Sequence, residues 1–218
     1  MLAITPGRCR SRLPRRQCKM AWEAHRLVYS VKSPIHIGHY MLGYINRTRY
    51  YIPGRALWGA FTANLTRACY RYEDYKAVGD DLSGGLFLSY FYPATDPSRP
   101  MLPLFTDYGL TLGEQPVADF EARFVRSIGQ TAIMPSANAA EEGSLHETEF
   151  ICPRVEGKNG QLPVYFVGYI LFQEQTRIAG RELTWDGKGP SLKVAISDIF
   201  LGGERKYGFG RLVLADSK

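Results

Sequence analysis

Apolar and polar side chains alternate over residues 23–33, which is the period of a strand with one buried face. The apolar positions are Leu27, Tyr29 and Val31, and the polar ones are Arg26, Ser30 and Lys32. Further along, apolar residues recur every four positions from Ala56 to Tyr70, namely Leu57, Phe61, Leu65 and Cys69. This spacing predicts an amphipathic helix, and Pro53 suits its first turn.

The rest of the pattern predicts a sheet and a second helix. Strands are predicted over residues 86–92, 104–112, 121–128, 145–152, 162–172 and 211–215. The run 162–172 is apolar and aromatic, which is typical of a central strand. Residues 80–85 are predicted as a turn-rich break, and residues 191–201 as a helix, because apolar residues share one helical face there. The order of elements predicts an α+β fold with a βαββαβ plan, β-rich insertions and antiparallel pairing.

A glycine-rich loop, residues 201–212, connects the predicted second helix to the last strand. It combines four glycines with two cations and two rings: Gly202, Gly203, Arg205, Lys206, Tyr207, Gly208, Phe209 and Gly210. A Walker loop requires Gly-Lys-Ser or Gly-Lys-Thr, and neither follows these glycines. A Rossmann turn requires a helix after it, and no helix is predicted there. Two interpretations stay open, a cradle for a phosphate backbone and a β-bulged hairpin.

The net charge of +6 is unevenly distributed along the 218 residues. The segment 1–19 holds six cations and no acid, namely Arg8, Arg10, Arg12, Arg15, Arg16 and Lys19. Subtracting these from 27 basic residues leaves 21, which balance the 21 acidic residues. Any nucleic-acid site must therefore come from local clustering. We expect residues 1–19 to be a non-native extension or a flexible basic arm, and residues 20–218 to form a single domain.

Membrane, metal and cofactor chemistry is not indicated by the sequence. No run of 18 apolar residues is present, so we expect no membrane span. The cysteines lack the spacing of a zinc site; they are Cys9, Cys18, Cys69 and Cys152. We expect a cytoplasmic protein without a metal or other cofactor.

Several segments resemble motifs of the RAMP superfamily of CRISPR-associated proteins. Residues 51–60, Tyr-Ile-Pro-Gly-Arg-Ala-Leu-Trp-Gly-Ala, resemble the family's Ile-Pro-Gly segment, and residues 201–212 resemble its C-terminal glycine-rich loop. Residues 145–150, Leu-His-Glu-Thr-Glu-Phe, are similar to its acidic strand, and residues 33–38 to the segment after its first strand. The matches run in order over nearly the whole body of the chain.

The resemblance implies a ferredoxin-like domain, related to the RNA-recognition motif, that binds CRISPR RNA within a type III-like antiviral effector. The implied partners are CRISPR RNA and other effector subunits, with target RNA left open. The residues carried over are Gly202, Gly203, Arg205, Lys206, Gly208 and Gly210 in the loop, and Pro53, Gly54 and Arg55 at the helix start. Tyr207 adds a ring for stacking, and Arg47 and Arg49 would extend the basic track.

Target-cleaving members of the family carry an aspartate shortly before the Ile-Pro-Gly segment, whereas residues 43–50 contain Asn46 and no carboxylate. An amide is no general base and no substitute for a carboxylate ligand. We therefore expect a structural RNA-binding subunit without target cleavage. The alternative is a metal-independent endoribonuclease that processes precursor CRISPR RNA, with His36 or His39 as the base, because histidine titrates near neutral pH.

Overall fold

The computed structural model describes residues 21–217 except Arg71, Tyr108 and Lys188, so the predicted segment 1–19 lies outside the described residues. The first strands are β1 (Trp22–Val31), β2 (Gly38–Leu42), β3 (Ile45–Thr48), β4 (Leu86–Leu88), β5 (Tyr92–Ala94), β6 (Pro103–Thr106), β7 (Gly109–Leu112), β8 (Gln115–Pro116), β9 (Val125–Gln130) and β10 (Ile133–Met134). The later ones are β11 (Ala139–Ala140), β12 (His146–Ile151), β13 (Arg154–Gly157), β14 (Gly160–Pro163), β15 (Tyr165–Gln173), β16 (Arg177–Ile178), β17 (Arg181–Glu182), β18 (Asp198–Phe200) and β19 (Arg211–Ser217). The α-helices are α1 (Gly54–Ala68), α2 (Tyr75–Gly85), α3 (Val117–Phe124) and α4 (Leu192–Ala195).

Within the described residues, the largest sheet has six strands in the order β18-β19-β1-β15-β4, with β5 also paired to β15. Its neighbouring strands are antiparallel. The longest ladder joins β1 to β15, from Trp22 opposite Gln173 to Ser30 opposite Tyr165. The predicted mixed α+β class is confirmed, and the central strand predicted over 162–172 is present as β15, which begins at Tyr165 because residues 162–163 belong to β14.

The core lies between this sheet and the helices. Leu57, Phe61 and Leu65 of α1 are fully buried, as the fourfold spacing predicts, and each such side chain contributes about 1.5–3 kcal/mol. Pro53 precedes the helix with φ −69°, close to the value that the proline ring imposes. A Cβ on Gly54 would lie 2.8 Å from the Leu88 carbonyl oxygen, so glycine lets α1 begin directly against β4.

A four-stranded sheet, in the order β2-β3-β12-β9, lies beside the core. β12 pairs in parallel with β3 and antiparallel with β9. An isolated bridge between Ile35 and Ile151 joins its β12 end to the chain just after β1. This sheet therefore places the residues that follow β1 next to the acidic strand β12.

The predicted helix over 191–201 was wrong. Its helical part is the single turn α4, after which β18 pairs with β19, Ile199 lying opposite Leu212. The buried apolar residues of this segment are Leu192, Ala195, Ile196 and Ile199. Their spacing is compatible with one helix and equally with a helical turn followed by a strand. The pattern alone did not separate the two, and the ladder with β19 decided the outcome.

Other boundaries also differ from the prediction: residues 104–112 form the β6–β7 hairpin rather than one strand, and residues 86–92 divide between β4 and β5. Residues 121–128 were predicted as a strand, but α3 continues to Phe124 and β9 begins at Val125. Phe120 and Phe124 lie four residues apart on one face of α3, and their rings stack at 4.5 Å. The alternating pattern over 121–128 did not reveal this helical pair. Residues 80–85, predicted as a break, belong to α2, whose N-cap Asp74 accepts hydrogen bonds from the backbone N–H groups of Lys76 and Ala77. In the described part of the chain, no helix is long and apolar enough to cross a membrane.

Candidate nucleic-acid interface

The glycine-rich loop links β18 to β19 through a chain reversal that needs left-handed backbone. Gly202, Gly208 and Gly210 have φ values of +84°, +85° and +89°, which glycine adopts without a Cβ penalty. Between them, residues 205–207 form a 3₁₀ turn. The loop closes where the Leu201 N–H donates to the Gly210 carbonyl oxygen at 3.0 Å. The loop thus connects two paired strands, β18 and β19, and this geometry is compatible with both interpretations of the sequence.

The loop backbone rests on the segment that follows β1. The Gly203 N–H donates to the His36 carbonyl oxygen at 2.9 Å, and the Gly210 N–H donates to the Pro34 carbonyl oxygen at 2.8 Å. A Cβ on Gly202 would lie 2.2 Å from the His36 oxygen, whereas the space around Gly208 is open. Close backbone approach therefore explains Gly202, while Gly208 is needed only for its conformation.

The side chains of the loop divide into an exposed group and a buried one. Arg205, Lys206 and Tyr207 are exposed, and Lys206 Nζ lies 4.9 Å from the centre of the Tyr207 ring. Phe209 is only 8% exposed and meets the Phe150 ring edge-on at 5.4 Å. Phe209 therefore packs under the loop, and Tyr207 is the ring that remains open to a ligand.

The loop and the start of α1 meet at one surface. A cavity of about 370 Å³ lies between them and is lined by Arg55, Ala56, Gly59, Gly202 and Arg205 among others. The N-terminus of α1 has no side-chain cap and no acidic residue in its first turn, so its partial positive charge is not offset locally. The structure thus brings together the two segments that the sequence motifs had marked separately.

Arg47, predicted to extend the basic track, lies instead within an intramolecular network. Its guanidinium is 2.7 Å from a Glu121 carboxylate oxygen and 2.9 Å from a Glu149 carboxylate oxygen, and it donates to the Tyr50 hydroxyl at 3.0 Å. Burial and the neighbouring Glu121 raise the pKa of Tyr50 to about 12. Arg47 therefore ties β3 to α3 and β12, and two carboxylates offset its charge.

Arg49 is held in place but retains free donors. Its Nε donates to the Gly38 carbonyl oxygen at 3.1 Å, and its Nη1 donates to the Tyr51 hydroxyl at 3.4 Å. No acidic side chain of the described residues pairs with it. Unlike Arg47, Arg49 therefore keeps its charge available to an anion.

The two candidate histidines lie at one cavity of about 210 Å³, which Asn46 and Arg47 also line. His36 is 9% exposed, and its Nδ1 lies 2.7 Å from the Glu149 carbonyl oxygen; because a carbonyl only accepts, Nδ1 carries the proton. His39 is exposed. Partial burial, Arg49 and Arg47 lower the pKa of His39, in that order, and Glu149 opposes them. These effects favour the neutral imidazole of His39 over the charged form.

Sequence reasoning had missed two carboxylates as organisers of this region. The Glu149 carboxylate accepts from the Thr48 N–H at 3.1 Å and from Arg47. Glu121 pairs with Arg47 although the two are 74 positions apart in the chain. Glu149 lies in the acidic motif, which offered a signal, whereas nothing in the local pattern marks Glu121. Among the described residues, no group of three or more histidine, cysteine or acidic side chains could hold a metal ion.

Solved structures of Type III-B Cmr-beta contain chains of this fold. A chain of Type III-B Cmr-beta bound to cognate target RNA matches with a TM-score of 0.53 and 12% identity, covering 89% of this chain and 97% of that one. The fold is shared with Cmr-beta chains. A chain of the apo state matches at 0.52 and 10% identity, covering 88% and 96%. A third, from the complex with cognate target RNA and AMPPnP, matches at 0.50 and 12%, covering 87% and 61%. No family model and no curated protein matches the sequence.

Proposed function

We propose that this protein is a CRISPR RNA-binding structural subunit of a type III-like effector and belongs to the RAMP superfamily. The observation that carries the proposal is the shared surface of the glycine-rich loop and the α1 start, where Arg55 and Arg205 line one cavity. Exposed cations, left-handed glycines and an uncapped helix start are all features that favour a phosphate backbone.

A ferredoxin-like core is part of this proposal. With the insertions set aside, we take β1, β4, β15 and β19 as the first, second, third and fourth strands of the core. Their order in the sheet, β19-β1-β15-β4, is then fourth, first, third and second. α1 follows β1, and the single turn α4 follows β15. This order and its antiparallel pairing support a βαββαβ core whose second helix is reduced to one turn.

The exposed side chains of the loop support binding to a phosphate and a base together. Neither Arg205 nor Lys206 forms an ion pair with any described residue, so binding would not first have to break an internal pair. Tyr207, 59% exposed beside Lys206, offers a base a stacking partner worth about 1–3 kcal/mol. Single-stranded RNA supplies both kinds of group at once.

The surroundings of Asn46 support a role without target cleavage. Asn46 lines the cavity that contains both histidines, at the place where target-cleaving relatives would carry an aspartate. The neighbouring carboxylates Glu121 and Glu149 are bound to Arg47, which disfavours their use as a base or as metal ligands. We propose that RNA bound here is held rather than cut.

Ultraviolet cross-linking of purified protein to a single-stranded RNA oligonucleotide tests the proposed interface. We expect cross-linked peptides to include Tyr207, because that ring is exposed, and to lack adducts on the buried Phe209. Tyr207→Ala should remove this cross-link, whereas Tyr72→Ala, which also removes an exposed tyrosine, should leave it. Cross-links confined to other surfaces, with none in residues 201–212, would contradict the proposal.

A processing endoribonuclease is the second candidate, because His36 and His39 line the same cavity and a neutral His39 can accept a proton. The first proposal expects no specific cut when repeat-containing RNA is incubated with the protein in EDTA. A cut that vanishes in His39→Ala, with the fold verified by circular dichroism, would overturn it in favour of the nuclease. His36→Gln tests the other histidine in the same way, because the glutamine amide can still donate to the Glu149 carbonyl oxygen.

A further inference from the structure

Another cavity, of about 300 Å³, opens beside Arg49, between the end of the β2–β3 hairpin and the β6–β7 hairpin, and shares His39, Tyr40 and Arg47 with the cavity at the histidines. Its apolar wall is formed by Pro103, Leu110 and Leu112, and its aromatic wall by Tyr40, Tyr50 and Tyr51. The volume lies at the lower end of the ~300–1,000 Å³ typical of small-molecule pockets. The cavity thus suits a small, flat group with an apolar face.

The aromatic wall is held rigidly. Tyr51 stacks on Tyr90 at 5.1 Å with an interplanar angle of 20°, and Tyr92 lies 6.2 Å from Tyr51. The Tyr51 hydroxyl also accepts from Arg49 Nη1. A ring fixed in this way loses little conformational entropy when a second flat group packs beside it.

The polar groups of the cavity favour an anion at its rim. The charge of Arg47 is already offset by Glu121 and Glu149, so Arg49 is the lining cation that remains unpaired. Its Nε and Nη1 are anchored as described above, and no described residue bonds to Nη2. A ligand combining a flat ring with one phosphate would satisfy both parts of the cavity, whereas a purely apolar ligand would leave the guanidinium unused.

We propose that this cavity binds one nucleobase of a single-stranded RNA, with the attached phosphate on Arg49. The inference rests on the proposed RNA-binding function and adds a base-accepting site apart from the glycine-rich loop. Walls of rings and aliphatic side chains pack against any base, so the site selects a base over a bare sugar phosphate rather than one base over another.

His39 provides a reporter inside the cavity. Partial burial, Arg49 and Arg47 lower its pKa, in that order, and Glu149 opposes them. A phosphate on Arg49 would offset the charge that lowers the His39 pKa more than Arg47 does, so the bound state should have a higher His39 pKa than the free protein. The imidazole resonances in a proton NMR titration of the full chain measure this directly.

The test compares adenosine 5′-monophosphate with ribose 5-phosphate, which has the phosphate and sugar but no base. We expect the mononucleotide to raise the His39 pKa and to bind at least about 10-fold more tightly than the sugar phosphate, within the range measured for one stacked base. Equal binding of the two probes would overturn the proposal.

Variants then locate the site. Tyr51→Ala should weaken the mononucleotide about 10-fold and ribose 5-phosphate much less, and Tyr51→Phe should restore most of the difference because it keeps the ring. Arg49→Gln should weaken both probes. Tyr72→Ala and Arg177→Ala, at exposed positions outside the cavity, should behave like the unaltered protein. Unchanged mononucleotide binding in folded Tyr51→Ala would contradict the assignment.

This test and the cross-linking test fail independently. If RNA cross-links to residues 201–212 but the two small probes bind equally, the base site is wrong and the loop interface stands. If the mononucleotide binds through Tyr51 and Arg49 but no RNA contacts the loop, the base site stands and the proposed interface fails.

Discussion

Gly210→Ala is expected to lower the free energy of unfolding by about 3–5 kcal/mol, whereas Gly208→Ala is expected to cost about 1 kcal/mol. The two glycines share nearly the same backbone, with φ of +89° and +85°. They differ in space, because a Cβ on Gly210 would lie 2.0 Å from the Leu201 carbonyl oxygen and a Cβ on Gly208 would meet nothing within 4 Å. Only Gly210→Ala adds a backbone collision to the strain of positive φ.

Urea unfolding of the two variants, followed by circular dichroism, measures this difference. The Gly210 N–H also donates to the Pro34 carbonyl oxygen, so displacing Gly210 would disturb the contact between the loop and the segment after β1. If Gly210→Ala does not fold at all while Gly208→Ala does, the prediction of a larger loss of stability at Gly210 is also met. Equal losses in the two variants would show that close packing does not set the loop conformation.

Hydrophobic periodicity predicted the elements whose pattern is unambiguous. β1, α1, β12, β15 and β19 lie close to their predicted positions, because alternating or fourfold spacing over a long run fits one kind of element. It failed over 191–201, where the same buried positions serve a helical turn and then a strand. That choice depended on pairing with β19, a contact that no local pattern records.

The candidate site was predictable in its parts and not in its arrangement. The motifs marked Arg55 and Arg205, but their shared cavity follows from the packing of α1 beside the loop. Arg47 and Arg49 look alike in sequence; the structure separates them because Glu121 and Glu149 reach only Arg47. Partners distant in the chain decide which cation stays available, and spacing does not reveal them.

The cations of the glycine-rich loop are central to the proposed function. Arg205 and Lys206 are exposed and have no ion-pair partner among the described residues, so replacing both by alanine should leave the fold intact. Each lost contact with a phosphate of single-stranded RNA reduces the slope of log affinity against log salt by about 0.7. For two contacts, the affinity should fall about 25-fold at 0.1 M monovalent salt.

The matched control is Arg154→Ala with Lys158→Ala, which removes the same charge from exposed positions of the β13–β14 hairpin. This control should change affinity and slope little, because its cations lie outside the proposed interface. It separates a loss of specific contacts from a loss of net charge.

The most direct measurement is the salt dependence of single-stranded RNA binding by the unaltered protein, the loop variant and this control. The proposed interface predicts a slope that is shallower by about 1.4 in Arg205→Ala with Lys206→Ala and unchanged in the control. The same affinity and slope in all three folded proteins would contradict it.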